Sequence, residues 1–179
     1  MHFISGHSGR EQEISRLFTE TFTASDGADE GLLIGALVDT FMQSTPASDL
    51  FVFSACVDQT LVGAIFFSRL TYSADDRTVF IMSPVAVKTQ EQRKGIGEKL
   101  INHGLAHVRD KGVSVAVTYG DPNYYSKVGF RPMTEDFARA PLKLSFPHGW
   151  LGQSLTAEDL TPLQGTARCV DALNQHDLW

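Results

Sequence analysis

The six residues from Gln92 to Gly97, Gln-Arg-Lys-Gly-Ile-Gly, stand between an apolar run ending at Val87 and an amphipathic stretch beginning at Ile96. If that stretch is a helix, its first turn carries unpaired N–H groups and a partial positive charge, both of which attract anions. Gly95 and Gly97 lack the Cβ atoms that would hold an anion off the backbone. Gln92, Arg93 and Lys94 add donors and positive charge on the approach. The combination suits a pyrophosphate, although Gly-X-Gly alone equally serves tight strand–helix packing. Two other nucleotide loops fit badly. A Walker A loop follows its Gly-Lys with Ser or Thr, whereas Lys94 precedes Gly95. A dinucleotide fingerprint needs a small residue three positions after Gly97, where Leu100 stands. His103 and His107 have metal-ligand spacing on a helix, i and i+4, but no third ligand nearby in sequence. They read as a solvated face, and no metal is expected.

Around this loop the composition is ordinary for a folded domain. The 179 residues are 42% hydrophobic and 20% charged, with a formal net charge of −6. That charge argues against general nucleic-acid binding, which needs a basic excess. It is compatible with a cationic substrate and equally with the acidic surface common in cytoplasmic proteins. Cys56, inside the apolar run Phe-Val-Phe-Ser-Ala-Cys-Val, reads as a small core residue. With Cys169 far off in sequence, it makes neither a disulfide framework nor a thiolate metal site. The N-terminal residues lack a basic segment followed by an apolar one, and no apolar run reaches the length of a membrane span. A cytoplasmic protein with no membrane partner is expected.

The elements that must position the loop follow from periodicity. Ile14, Leu17, Phe18 and Phe22 mark one amphipathic helix, and Leu33, Leu37, Val38 and Phe41 a second, with a break over residues 23–30. Two β-rich runs flank Asp58-Gln59-Thr60 as a hairpin, and a turn at residues 73–77 leads to a third strand, Thr78–Val87. Ile96, Leu100, Ile101, Leu105 and Val108 line one face of a helix that stops at Gly112, and residues 113–119 form the next strand. Strand, loop, helix and strand make a βαβ unit. A short helix capped by Asp121, with Pro122 at its first position, leads to a strand near Phe130. Residues 140–155 look like a final hairpin or irregular cover, and residues 156–179 carry no clear pattern. The fold class is α+β (mixed α/β): an antiparallel N-terminal meander, then a βαβ unit in a mixed sheet, with helices on both faces.

The stretch Ser-Pro-Val-Ala-Val-Lys-Thr-Gln-Glu-Gln-Arg-Lys-Gly-Ile-Gly, residues 83–97, resembles the acetyl-CoA loop of the GNAT N-acetyltransferase family, with Gln92, Gly95 and Gly97 at its defined positions. Tyr125, four residues before Gly129-Phe130, matches a second signature of that family. Residues 120–130, with the Asp26–Glu30 region and the stretch Phe146–Gln153, are similar to its small YhbS-like branch. The resemblance spans residues 1–155, is strongest over 79–131, and implies one acetyltransferase domain for residues 1–179.

It also implies roles. The amides and side chains of Gln92, Arg93, Lys94, Gly95, Ile96 and Gly97 would hold the coenzyme A pyrophosphate. Val85, Ala86 and Val87 would offer backbone groups to the pantetheine arm and thioester, their valine side chains being core. Tyr125 would donate a proton or hydrogen bond to the departing sulfur; without the resemblance it reads as a core residue, and Tyr124 competes with it. Many relatives carry asparagine where this chain has Thr118. Glu30, in the connector between the first two helices, is the implied base that takes the amine proton, with His148 or water as alternatives. The activity implied is transfer of an acetyl group from acetyl-CoA to a primary amine of a small molecule or peptide. The other reading is a non-catalytic acyl-CoA-binding regulatory or interaction module. No metal is required, and a homodimer is compatible with the pattern.

Overall fold

Four apolar or small residues facing inward, Ile14, Leu17, Phe18 and Thr21, set helix α1 (Glu11–Asp26) in the computed structural model, which describes residues 1–179. Helix α2 (Ala28–Ser44) follows after a single non-helical residue, Gly27, at φ 100°. The expected break over residues 23–30 is therefore almost absent, and Glu30 lies in the first turn of α2 rather than in a connector. Asp29 and Glu30 favour that position because carboxylates stabilise a helix N-terminus. The two helices also cross closely. A Cβ on Gly31 would overlap the Thr23 hydroxyl and lie 2.7 Å from Thr19 O, and one on Gly35 would overlap the Thr19 hydroxyl.

Strand β2 (Leu50–Val57) and strand β3 (Thr60–Tyr72) form the expected hairpin, turning through Asp58 (φ 46°) and Gln59 (φ 64°). Two consecutive positive φ values match the right-handed twist of paired strands. A four-residue strand, β1 (His2–Ser5), adds antiparallel to β2 from His2↔Cys56 to Ser5↔Phe53; the sequence reading did not contain it. Alternation along β3 places helices on both faces. Phe66 packs on Phe18 and Phe41, with ring centroids 5.5 Å apart in each pair. Its neighbours Ile65 and Phe67 point the other way, 2.6 and 2.8 Å from where a Cβ on Gly104 would stand.

Gly104 belongs to helix α3 (Ile96–Asp110), which links β4 (Asp75–Val87) to β5 (Val115–Tyr119). The two strands are parallel, from Val79↔Val115 to Met82↔Thr118, so the βαβ unit is present. Helix α4 (Pro122–Tyr125) is capped by Asp121, whose side chain accepts from Asn123 N–H at 2.9 Å. Strands β6 (Arg131–Pro132) and β7 (Trp150–Ser154) pair antiparallel, and β7 also pairs antiparallel with β5. The sheet order is β1-β2-β3-β4-β5-β7-β6, with β8 (Ala167–Cys169) paired to β3.

The C-terminal segment that lacked pattern is thus ordered, and its anchor is polar. Arg77 pairs with Asp75 (Nη2–Oδ2 2.6 Å) and donates to Thr161 O at 3.1 Å and Pro162 O at 2.7 Å. The Arg77 guanidinium holds the Asp75 carboxyl down at about 2. Such a clasp uses single polar residues, which hydrophobic periodicity does not register.

Contacts group the chain into two compact units interleaved in sequence. One comprises Met1–Phe67 with Pro84–Gly104, and the other Ser68–Ser83 with Leu105–Trp179.

Candidate active site

The first unit contains the loop. β4 continues past its last pair with β5, Met82↔Thr118, through Pro84 to Val87. Proline has no N–H to give to a ladder. Ala86 is buried, whereas Val85 and Val87 are only half-buried, so the expectation that both valines are core is corrected. A two-residue period puts all three in this order, with the small residue inward.

Beyond Val87 the chain is pinned by Lys88 N–H to Val62 O (2.8 Å) and by Gln92 Nε2–H to Val87 O (3.0 Å). The Gln92 amide thus clamps the loop onto the strand end. Arg93 (φ 62°) and Gly95 (φ 75°) then turn the backbone through the left-handed region. The first hydrogen bond into α3 runs from Lys99 N–H to Gly95 O at 3.2 Å. The amides from Arg93 to Glu98 therefore precede the helical ladder, as at any helix start. Lys94 pairs with Glu91 (Nζ–Oε2 3.0 Å), which offsets part of its charge, while the Arg93 side chain is exposed. A Cβ at Gly95 would have nothing within 4 Å, so open space lies over the turn. The donor set and open backbone fit a pyrophosphate.

The second unit contains Tyr125, at the end of α4. Its ring lies over Gly120, where a Cβ would come within 2.7 Å of Tyr125 Cε2. The rings of Tyr124 (5.1 Å) and Phe130 (6.0 Å) meet it edge-on. Part of the residue reaches solvent, but the phenol is enclosed, and burial pushes its pKa up to about 12. The neighbouring Tyr124 phenol adds to the rise, and a hydrogen bond with the Thr118 hydroxyl pulls the other way. Thr118 is itself fully buried and donates to Met82 O at 2.8 Å.

Gly120 has a second neighbour. Its N–H donates to Gly149 O at 2.9 Å, and a Cβ on Gly149 would lie 2.9 Å from Gly120 O. One glycine thus carries both the Tyr125 ring and the backbone of the loop before β7. Sequence reasoning missed Gly120 and Tyr119. The Tyr-Gly-Asp-Pro run at 119–122 was the available signal, since a glycine directly before a helix cap permits close approach.

Glu30 is half-buried on the first turn of α2, in the unit that holds the loop. His148 is exposed in the unit that holds Tyr125, its ring 5.9 Å from that of Phe146. His103 corrects the expectation of a solvated face: it stacks on Phe3 at 4.4 Å and meets Phe53 edge-on at 5.7 Å, while His107 is exposed. No group of three or more His, Cys, Asp or Glu residues is placed to hold a metal ion, and no helix is long and apolar enough to cross a membrane. Cys56 is fully buried and accepts a hydrogen bond from Arg10 Nη1 at 3.1 Å.

The strand–turn–helix and the tyrosine before Gly-Phe are the two features on which the sequence resembles an acetyltransferase family. The model of the acetyltransferase (GNAT) family matches residues 11–130, and the chain belongs to that family. It is 32% identical over 164 residues to an uncharacterized N-acetyltransferase, YjhQ, of Escherichia coli K12, covering 89% of this chain and 86% of the relative. The fold is similar to that of YhbS from Escherichia coli, solved in complex with CoA. That likeness has a TM-score of 0.79 at 20% identity, over 97% of this chain and 92% of the other. It is also similar to a GNAT family acetyltransferase from Brucella melitensis in complex with acetyl-CoA, with a TM-score of 0.75 at 22% identity over 97% of each chain.

Proposed function

We propose that this acetyltransferase moves the acetyl group of acetyl-CoA to a primary amine by direct attack, and that residues 1–179 act as one domain. The family match over residues 11–130 crosses every boundary between the two compact units, which supports treating them as one working module. The observation that carries the reading is the turn from Arg93 to Gly97: left-handed at residues 93 and 95, open above Gly95, and preceding the helical ladder. Its amides, with Gln92 and the charges of Arg93 and Lys94, hold the pyrophosphate of the cosubstrate. The strand Val85-Ala86-Val87 offers N–H and C=O groups to the pantetheine arm, as a sheet edge does to an added strand.

Acetyl-CoA supplies an activated thioester. An N–C bond forms as the C–S bond breaks, the amine gives up one proton, and the sulfur gains one. Glu30 takes the amine proton, with water able to serve in its place. Tyr125, at the family's tyrosine position before Gly129-Phe130, is assigned to the leaving sulfur. Its phenol at about 12 lies well above a thiol near about 8.5, so full proton transfer to sulfur costs roughly 5 kcal/mol. Tyr125 therefore acts as a hydrogen-bond donor to the developing thiolate, with solvent completing the protonation.

The test is Tyr125→Phe, assayed by thiol release from acetyl-CoA with a panel of primary amines. Turnover should fall by about 10²-fold, the lower end for loss of one hydrogen-bond donor to developing charge, while CoA binding by calorimetry changes little. Unchanged turnover would remove the role of Tyr125. CoA binding without thiol release from any amine would make the chain an acyl-CoA-binding module instead.

A further inference from the structure

A cavity of about 680 Å³ lies within the second unit, walled by β6, by β7 and by the segment that follows β7. None of the residues assigned to acetyl transfer lines it. Its floor is apolar. A Cβ on Gly152 would stand 2.5 Å from Met133 Sδ and 3.3 Å from Leu160 Cδ2, so those two side chains meet over the bare glycine. Phe137, half-buried, lines the same cavity.

Each wall is tied in place by hydrogen bonds of its own. Met133 N–H donates to Trp150 O at 2.9 Å, holding the chain beyond the two-residue pairing of β6 with β7. Phe137 O accepts from Leu163 N–H at 2.9 Å, and the Arg77 guanidinium donates to Thr161 O and Pro162 O, so the chain after Leu160 is held at three residues. Thr156 N–H donates to the Ser154 hydroxyl at 3.2 Å and Glu158 N–H to the Thr156 hydroxyl at 3.3 Å, which fixes the turn after β7. Gln153 Nε2–H donates to Val128 O at 3.1 Å, beside Gly129. The space is thus formed before any ligand arrives, and its volume falls in the range of small-molecule sites.

The lining carries charge of both signs. Arg131, Glu158 and Asp159 are all exposed, and no ion pair of the chain uses any of them. A free guanidinium suits a carboxylate, and the two free carboxylates suit an ammonium. Met133, Phe137 and Leu160 suit an apolar body. A ligand with all three features is an apolar zwitterion, and the volume exceeds what a single amino acid fills.

We propose that this cavity is a second binding site, for a short apolar peptide with free termini. Its carboxylate meets Arg131, its ammonium meets Glu158 and Asp159, and its side chains lie over Gly152. The test is calorimetry at pH 7 without acetyl-CoA, titrating L-leucyl-L-leucine, its N-acetyl form, its C-terminal amide and glycylglycine. Wild type should bind dileucine with a Kd of about 0.2 mM, an ordinary efficiency for a ligand of that size. Each of the other three probes should bind about tenfold more weakly, the scale of one charge-assisted hydrogen bond or of a lost apolar contact. Arg131→Gln should weaken dileucine about tenfold and leave the amide unchanged. Glu158→Gln with Asp159→Asn should weaken dileucine as much and leave the N-acetyl form unchanged. All three side chains are exposed, so these variants keep the fold. No heat from dileucine up to about 5 mM overturns the proposal. Binding that survives both sets of substitutions puts the peptide elsewhere on the chain and overturns it equally. Either result leaves the acetyltransferase reading intact.

Discussion

The turn at residues 92–97 and the neighbourhood of Gly120 are both built around glycine, and they use it in opposite ways. At Gly95 the absent Cβ leaves open space and a left-handed backbone, so the main chain itself faces solvent. At Gly120 the absent Cβ is filled by the Tyr125 ring on one side, while the residue's N–H and C=O meet Gly149. On the proposed reading the first glycine serves a ligand, while the second serves packing. A substitution at 95 should therefore be felt as lost affinity, and one at 120 as misplaced chemistry.

The sharpest way to break that contrast is Gly120→Val. The new side chain would start within 2.7 Å of Tyr125 Cε2 and displace the phenol. kcat should fall by about 10²-fold, as when a catalytic group moves by about 1 Å. CoA affinity, read by calorimetry, should hardly move; an equal loss in both would mean that the two glycines do the same job. Gly95→Val comes next. A β-branched residue in the left-handed region costs about 1–2 kcal/mol, so CoA affinity should drop by about tenfold. kcat at saturating acetyl-CoA should fall much less, and the reverse pattern would refute the assignment.

The smallest effect is on pH dependence. Tyr125 has a folded pKa of about 12 against about 10 when unfolded. Its neutral form favours folding fully below about pH 10, and that contribution is lost as pH rises toward 12. Denaturant unfolding at pH 9 and pH 11 should show wild type losing about 1 kcal/mol that Tyr125→Phe keeps. The kcat profile should show no basic limb from this phenol below pH 11, and an earlier fall that Tyr125→Phe abolishes would place the phenol in a less buried setting.

The same contrast explains what was legible in the sequence. The loop reads from spacing because its shape lies in the backbone: Gly95, Gly97 and the onset of the 3.6-residue period are visible in one dimension. The hairpin at Asp58-Gln59 and the βαβ unit read for similar reasons, being local in sequence. The Gly120 neighbourhood joins residues 118–120, 125, 130 and 149, and the pairing of Gly120 with Gly149 leaves no periodic trace. β1 is too short to show alternation, and β8 pairs with β3 just past residues 161–164, which the Asp75–Arg77 clasp holds. Glu30 reads as a connector residue because Asp and Gly near it resemble a turn, whereas the close crossing allowed by Gly31 and Gly35 lets two helices join through Gly27 alone.

Arg93 sits at φ 62°, a conformation that glycine adopts freely and arginine does not. Glycine at that position would relax the turn and raise the melting temperature of the chain. The residue present instead accepts local strain and carries an exposed cationic side chain on the turn. The loop is thus a spring held slightly wound by its own charge carrier, and robustness and grip pull this position toward different amino acids.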